Sequence, residues 1–218
     1  MSDTPIIWLS DGFAGPFPST RLALSEPDGL LAAGGNLEPD TLLQAYRQGI
    51  FPWYNKDQPI LWWSPNPRCV LFPEKLHISR SLKRTLNKNQ FEIKMDTAFT
   101  ATMQACAAPR KNERGTWINE DMIEAYNTLH ELGHAHSIEC WHNDKLVGGM
   151  YGVQLGQVFF GESMFSRMKD ASKAVMVYLC NTIKPALLDV QVYSKHLESM
   201  GAENIGRNEF EELLVKHC

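Results

Sequence analysis

Between Ala135 and Met164 three strand-like segments, AHSIECWH, KLVGGMYGVQLG and QVFFGESM, meet at Asn143-Asp144 and Gly156-Gln157. Dipeptides of this kind make the two-residue turns of β-hairpins, so the chain must build around a sheet. Upstream, FEIKMD alternates like a strand, and TAFTATMQACAA and EDMIEAYNTLHELG have the period of amphipathic helices, the second ended by Gly133. Downstream come a helix, DASKAVMVYLC, with Asp170 placed as a good N-cap, an apolar strand, ALLDVQV, and helices over SKHLESMG and NEFEELLVKH. A basic helical segment, ISRSLKRTLNK, precedes them all. No repeat or low-complexity segment interrupts the pattern.

The first sixty residues read differently. They are rich in Pro and Gly, and their one clear helix runs from about Pro39 through LLQAYRQ, with Pro in the first turn and Gly49 as the C′ residue. DGLLAAGGN and GIFPWY favour turns and close backbone approaches over regular structure. WWSPNPR, with two X-Pro steps, reads as extended chain joining two domains. The boundary is placed near Trp63, giving a small N-terminal domain, 1–63, and a larger domain, 64–218. The order in the larger domain, β-α-α-β-β-β-α-β-α, makes the expected fold class α/β (α+β) of the GNAT-like acyltransferase type; order speaks to architecture and not to chemistry.

Nothing approaches the roughly 20 consecutive apolar residues of a membrane helix, and MSDTPIIWLSDG lacks the basic and long apolar regions of a secretory leader. The five cysteines are odd in number, widely spaced and without C-x-x-C, which disfavours a disulfide framework or a cysteine zinc site. A reducing cytoplasm is expected. The net charge of −4 argues against a nucleic-acid partner until it is divided. Between Arg68 and Arg114 ten basic residues face four acidic ones, so this stretch is +6 and the remainder −10. Within it Arg80, Lys83, Arg84 and Lys88 fall at i, i+3, i+4 and i+8 with no acid among them, the spacing of one helical face that can follow a phosphate backbone.

Several residue groups carry possible chemistry. His130-Glu131-Leu132-Gly133-His134 is a literal H-E-x-x-H, the pattern by which zincins place two histidines on one helical face. Here Gly133 is expected to end the helix and leave His134 off that face, so no metal is assigned. Aromatics cluster at Tyr46, Phe51, Trp53, Tyr54, Trp62 and Trp63, and again at Trp117, Tyr126 and Trp141. Most belong to a core, while one or two in the Pro- and Gly-rich stretches are free to stack on a base. FFGESMFSRMKDASK has no glycine after Gly161, so it lacks the phosphate turn with which GNAT enzymes hold coenzyme A. Glu162 lies at a strand end and Asp189 inside an apolar strand, where an acid is costly unless hydrogen-bonded or used. Gln191, two residues on, shares the face of Asp189 by strand alternation.

These segments resemble the leucyl/phenylalanyl-tRNA–protein transferase family. The matching stretches include EPDGLLAAGGNL, AYRQGIFPWY, PILWWSPNPR, LHISRSLKR, AYNTLHELGHAHSIE, LVGGMYGV, FFGESMFSRMKDASK and DVQV, covering most of positions 17–207. The resemblance implies transfer of Leu or Phe, and less well Met, from aminoacyl-tRNA to the α-amine of proteins with N-terminal Arg or Lys, marking them for N-degron degradation. It implies no cofactor, no metal and no membrane, and a monomer is expected. Carried over by motif, Asp189 and Gln191 form the family's DxQ pair, with Glu162 a carboxylate that helps hold the substrates. Met150, Phe159 and Met164 correspond to the aminoacyl pocket. Trp53, Tyr46, Trp117 and Tyr126 correspond to aromatics around the 3′-terminal adenosine, and Arg80, Lys83 and Arg84 to the basic helix that grips the tRNA. An aspartate of pKa about 4 is a poor base, which favours a positioning role for Asp189. The chain departs from the family in the glycine-free segment NTIKPALLDVQV before the DxQ strand, and in a short tail after it.

Overall fold

The computed structural model describes residues 6–108 and 116–218. Arg110, Lys111 and Arg114 of the basic stretch lie outside the described residues. The strands are β1 (Ile7–Leu9), β2 (Leu30–Gly34), β3 (Phe51–Pro52), β4 (Leu61–Trp63), β5 (Arg68–Leu71), β6 (Glu92–Met95), β7 (Ala135–His142), β8 (Lys145–Leu155), β9 (Val158–Ser166), β10 (Leu187–Gln191) and β11 (Glu203–Ile205). The helices are α1 (Pro39–Arg47), α2 (Arg80–Leu86), α3 (Phe99–Ala107), α4 (Glu120–Glu131), α5 (Ala171–Tyr178), α6 (Lys195–Glu198) and α7 (Arg207–His217). From β6 to α6 the order is the expected β-α-α-β-β-β-α-β-α.

The hairpin run forms as its turns dictate. β7, β8 and β9 pair antiparallel in sequence, and both Asn143 and Asp144 take the positive φ that a type I′ turn requires. Around this meander stands a seven-stranded sheet in the order β11-β5-β10-β9-β8-β7-β6. β10 is parallel to β9 and antiparallel to β5, so it is enclosed on both edges and both faces. This position explains why the strand is apolar on both sides of its one acid, Asp189. α3 and α4 cover one face and join the core of Tyr126, Tyr151 and Phe160; α5 covers the other with Leu82, Ile138 and Phe159. Helix α3 has no side-chain cap, and the buried Glu139 of β7 fixes the two residues before it, accepting from the Ala98 N–H at 3.2 Å and the Thr97 hydroxyl at 3.0 Å.

The N-terminal region contains a second, four-stranded sheet, β1-β2-β4-β3, where DGLLAAGGN, GIFPWY and WWSPNPR had suggested turns and a linker. Its strands of two to five residues exist through pairing with distant chain and show no alternation of their own. The join at WWSPNPR is packed, with Trp62 and Arg68 both fully buried. The core also runs on across it, from Leu42, Tyr46 and Ile50 to Phe160 and Phe210. β5 and β11, of four and three residues, likewise show no alternation in sequence and form through their partners in the large sheet.

Three local expectations change. Helix α2 stops at Leu86, so Lys88 lies beyond the face that holds Arg80, Lys83 and Arg84. Asp170 stands at the N-cap position of α5 but has φ +67° and does not cap; its carboxylate accepts from the Thr85 hydroxyl of α2 at 2.8 Å. The glycine-free turn before β10 is made by Lys184 at φ +53°, followed by Pro185.

Gly49 ends α1 as expected, at φ +72°, with its N–H on the Tyr46 carbonyl and the Ile50 N–H on the Ala45 carbonyl. A Cβ there would come within 2.7 Å of the Phe210 ring. Gly49→Ala is expected to destabilise the fold by more than about 1 kcal/mol, lowering the Tm by at least roughly 2–4 °C in thermal melts.

Candidate active site

A charge in the middle of a sheet must be paired, and Asp189 of β10 is fully buried. Its partner is Arg68 on the adjacent strand β5: Nε donates to Oδ1 at 2.9 Å and Nη2 to Oδ2 at 2.7 Å. The third arm of the guanidinium, Nη1, donates to the Gly49 carbonyl at 3.1 Å. The rings of Phe51 and Phe210 lie over it, 4.7 and 4.8 Å from its central carbon. The pair is thus bidentate and stacked, a geometry only arginine supplies.

Asp189 then shapes the next turn of chain. The Gln191 N–H donates to Asp189 Oδ1 at 2.8 Å, the pairing of β10 with β5 shifts between these two residues, and Gln191 takes φ +62°. The spacing of two therefore does not keep strand alternation, and the shared face expected for the two side chains is replaced by a bulge that sends the Gln191 amide elsewhere. Its Nε2 donates to Glu162 Oε1 at 2.8 Å. Glu162 sits at an irregularity of its own, where β9 pairs Ser163 with Tyr151 and Gly161 with Gly152, leaving Glu162 between them. A Cβ at position 152 would meet the Phe160 carbonyl at 2.2 Å, so glycine is required for this close approach.

Glu162 is 8% exposed. Its second oxygen accepts from the Tyr126 hydroxyl at 3.2 Å, and that hydroxyl is hydrogen-bonded to Tyr46. Burial pushes the Glu162 carboxyl up to about 7; the hydrogen bond of Tyr46 works against this rise and the charge of Asp189 adds to it. Burial likewise holds both phenols well above their usual value, so they remain neutral donors. Of the three buried acids among the described residues, Glu139 is tied to hydroxyls and to amides ahead of α3 and Asp189 to a guanidinium. Glu162 has an amide and phenols as partners.

A cavity of about 560 Å³ opens onto Glu162 and Gln191. Trp53 and Trp117 form part of its wall, and Met150 and Met164 another part. The Gln191 end continues along Val192, Ser194 and His196. Trp53 is exposed and tilted against Trp63, with ring centres 5.7 Å apart. Six of the carried residues thus meet at one cavity. The others stand apart. Tyr46 and Tyr126 are fully buried, their hydroxyls turned to Glu162, so no ring face is open to a base. Phe159 lies in the core beneath α5, and Arg80, Lys83 and Arg84 are exposed on α2. HELGH is divided as expected: Gly133 at φ +79° closes α4, and His130 stacks on Phe99 with its Nδ1 on the Ala135 carbonyl. Among the described residues no cluster of His, Cys, Asp or Glu could hold a metal.

Arg68 was absent from the expected site. Its signal was an arginine opening the apolar RCVL, the complement of the acid in ALLDVQV, but the prolines before it suggested a linker. Removing either partner leaves an uncompensated buried charge, so Arg68→Met or Asp189→Leu alone is expected to cost about 3–5 kcal/mol. The double variant should recover a large part of that loss in urea unfolding, as a coupled pair requires.

Residues 70–215 match the family model described as leucyl/phenylalanyl-tRNA protein transferase, and residues 35–66 match its N-terminal domain model. A leucyl/phenylalanyl-tRNA--protein transferase of Nitrosomonas eutropha is 57% identical over 204 residues, spanning 92% of this chain and 87% of that one. Its counterpart in Alcanivorax borkumensis is 57% identical over 213 residues, 96% of this chain and 87% of that one. Among solved structures, a GCN5-related N-acetyltransferase from Kribbella flavida aligns with 77% of this chain and 61% of its own at 7% identity and a TM-score of 0.40. No helix among the described residues is long and apolar enough to cross a membrane. With both family models matched in order and relatives identical at more than half of the aligned positions, this chain belongs to the leucyl/phenylalanyl-tRNA–protein transferase family and is an aminoacyltransferase.

Proposed function

We propose that the chain moves Leu or Phe, and Met less well, from aminoacyl-tRNA to the α-amine of proteins that begin with Arg or Lys, marking them for N-degron degradation. It does so in the cytoplasm, as a monomer, with residues 1–63 as a small domain beside the catalytic one. The observation that carries this reading is the cavity itself: thioether and aromatic walls meet a buried carboxylate that titrates near neutral pH. Met150 and Met164 suit an adaptable pocket for unbranched-β side chains. Trp53 and Trp117 offer ring surface for the 3′-adenosine. Glu162, the acid on the cavity wall that no cation among the described residues partners, favours a cationic N-terminus.

The donor ester is already activated, so the chemistry is aminolysis. The acceptor arrives as an ammonium and must lose two protons: its nitrogen attacks the ester carbonyl, the C–N bond forms and the C–O bond to the ribose breaks. Glu162 takes one proton and passes it to water, while the other ends on the ribose oxygen. A carboxylate near 7 matches an amine of about 7.7–8.0 far better than one near 4 does. Asp189, neutralised by Arg68, instead positions Gln191, whose amide orients Glu162.

Labelled Leu-tRNA and an Arg-initiated peptide should give labelled product; none at any donor concentration would overturn the assignment. The ratio kcat/KM should rise with pH through about 7 as Glu162 deprotonates. Tyr126→Phe removes a hydrogen bond that favours the carboxylate, so this limb should move to higher pH. Glu162→Gln should lose the limb and leave only the titration of the acceptor amine.

The same group sets a stability profile. Its value in the fold is raised from an ordinary 4.5 to about 7, so its favourable contribution is complete below 4.5 and is lost as pH rises through 7. The Tm of the wild type should therefore fall between pH 5 and 8 relative to Glu162→Gln, and parallel profiles would exclude the raised carboxyl.

A further inference from the structure

Arg167 and Lys169 in the connection from β9 to α5, and Lys173 in the first turn of α5, stand against one acid, Asp170. That acid is held to α2, its carboxylate accepting from the Thr85 hydroxyl at 2.8 Å. The bond also fastens the connection to the helix that exposes Arg80, Lys83 and Arg84. At its other side the connection reaches the cavity: Ser166 and Ser172 line it, and the Arg167 guanidinium lies 5.2 Å from the ring centre of Phe165, a further wall residue. Lys173 acts on the cavity as well, since partial burial together with its charge holds His196 below the usual histidine value. Arg167 and Lys169 are exposed and Lys173 half-buried. A band of three cations against one acid thus leads from α2 to the cavity mouth.

We propose that Arg167, Lys169 and Lys173 bind the phosphates of the single-stranded 3′ end of the donor tRNA, carrying it from the α2 surface into the aminoacyl cavity. The proposal rests on the donor being an aminoacyl-tRNA. Its chemistry is that of a single strand: spaced, flexible cations track a phosphodiester backbone without reading bases. Asp170 has a structural part in this arrangement, holding two basic segments in register through Thr85.

The test is equilibrium binding of uncharged tRNA to the full chain, with intact tRNA and with tRNA lacking its four 3′-terminal nucleotides. Lys169→Ala with Lys173→Ala should weaken intact tRNA on the order of tenfold at low salt and reduce the slope of log K against log salt by about 1.4, roughly 0.7 per lost contact to a single strand. The truncated tRNA should bind the variant and the wild type alike. An unchanged slope with intact tRNA would overturn the proposal, and so would an equal loss with both tRNAs, which would place the contact on the stem. Lys169→Arg with Lys173→Arg should restore the slope, separating charge from local distortion. A wild type that binds tRNA but transfers nothing would sink the proposed activity and leave this strip standing, because the readout is binding alone.

Discussion

The buried pair of Arg68 and Asp189 is the constraint around which the other parts of the site are arranged. It joins two neighbouring strands of the large sheet, takes a carbonyl from the turn after α1, and is stacked between an aromatic of the N-terminal region and one of α7. Four segments far apart in sequence are therefore held to one guanidinium. An ion pair in such a place is weak evidence of net stabilisation, because desolvation offsets much of the attraction. Its value lies in geometry. With Asp189 fully engaged by Arg68, its remaining capacity goes to the Gln191 N–H, and this holds the left-handed backbone that aims the Gln191 amide at Glu162.

Two irregularities in adjacent strands then make the site. The register shift in β10 turns Gln191 out of alternation, and the one in β9 leaves Glu162 unpaired in the ladder. Regular strands would have kept both residues in their pleats. Burial follows from the same packing, since α1 and α4 bring Tyr46 and Tyr126 over the carboxylate. The result is an acid with neutral partners and a negative neighbour, hence one whose proton is loosely balanced near neutral pH. The three buried acids among the described residues differ in role for one reason: what each is paired with.

Much of the larger domain was legible because its signals are local. Asn143-Asp144 specifies a turn by its own backbone preferences, and Gly49 and Gly133 end helices at the positions where a left-handed residue is needed. HELGH could be dismissed as a metal site on the strength of one glycine. The N-terminal strands were illegible because two to five residues without alternation become strands only when a partner is present. Asp170 has the residue type and position of a cap, whereas a contact with Thr85 of α2 decides where its carboxylate goes. Arg68 has a faint signal in sequence, a single cation opening the four-residue RCVL beside two prolines that point to a linker.

By itself the sequence determined the order of elements in the larger domain, the concentration of positive charge between residues 68 and 114, and the family to which these motifs belong. Tertiary structure alone decided how each of the two acids is partnered. Asp189 and Glu162 look alike in sequence, each an acid among apolar residues. Arg68, 121 positions away from Asp189, neutralises one, while burial beneath two tyrosines raises the other. Tertiary structure also closed Tyr46 and Tyr126 to any base and left Trp53 and Trp117 on the cavity wall. Turns and caps are written in a few adjacent residues, whereas protonation and accessibility depend on the dielectric and the charges that distant parts of the chain bring together.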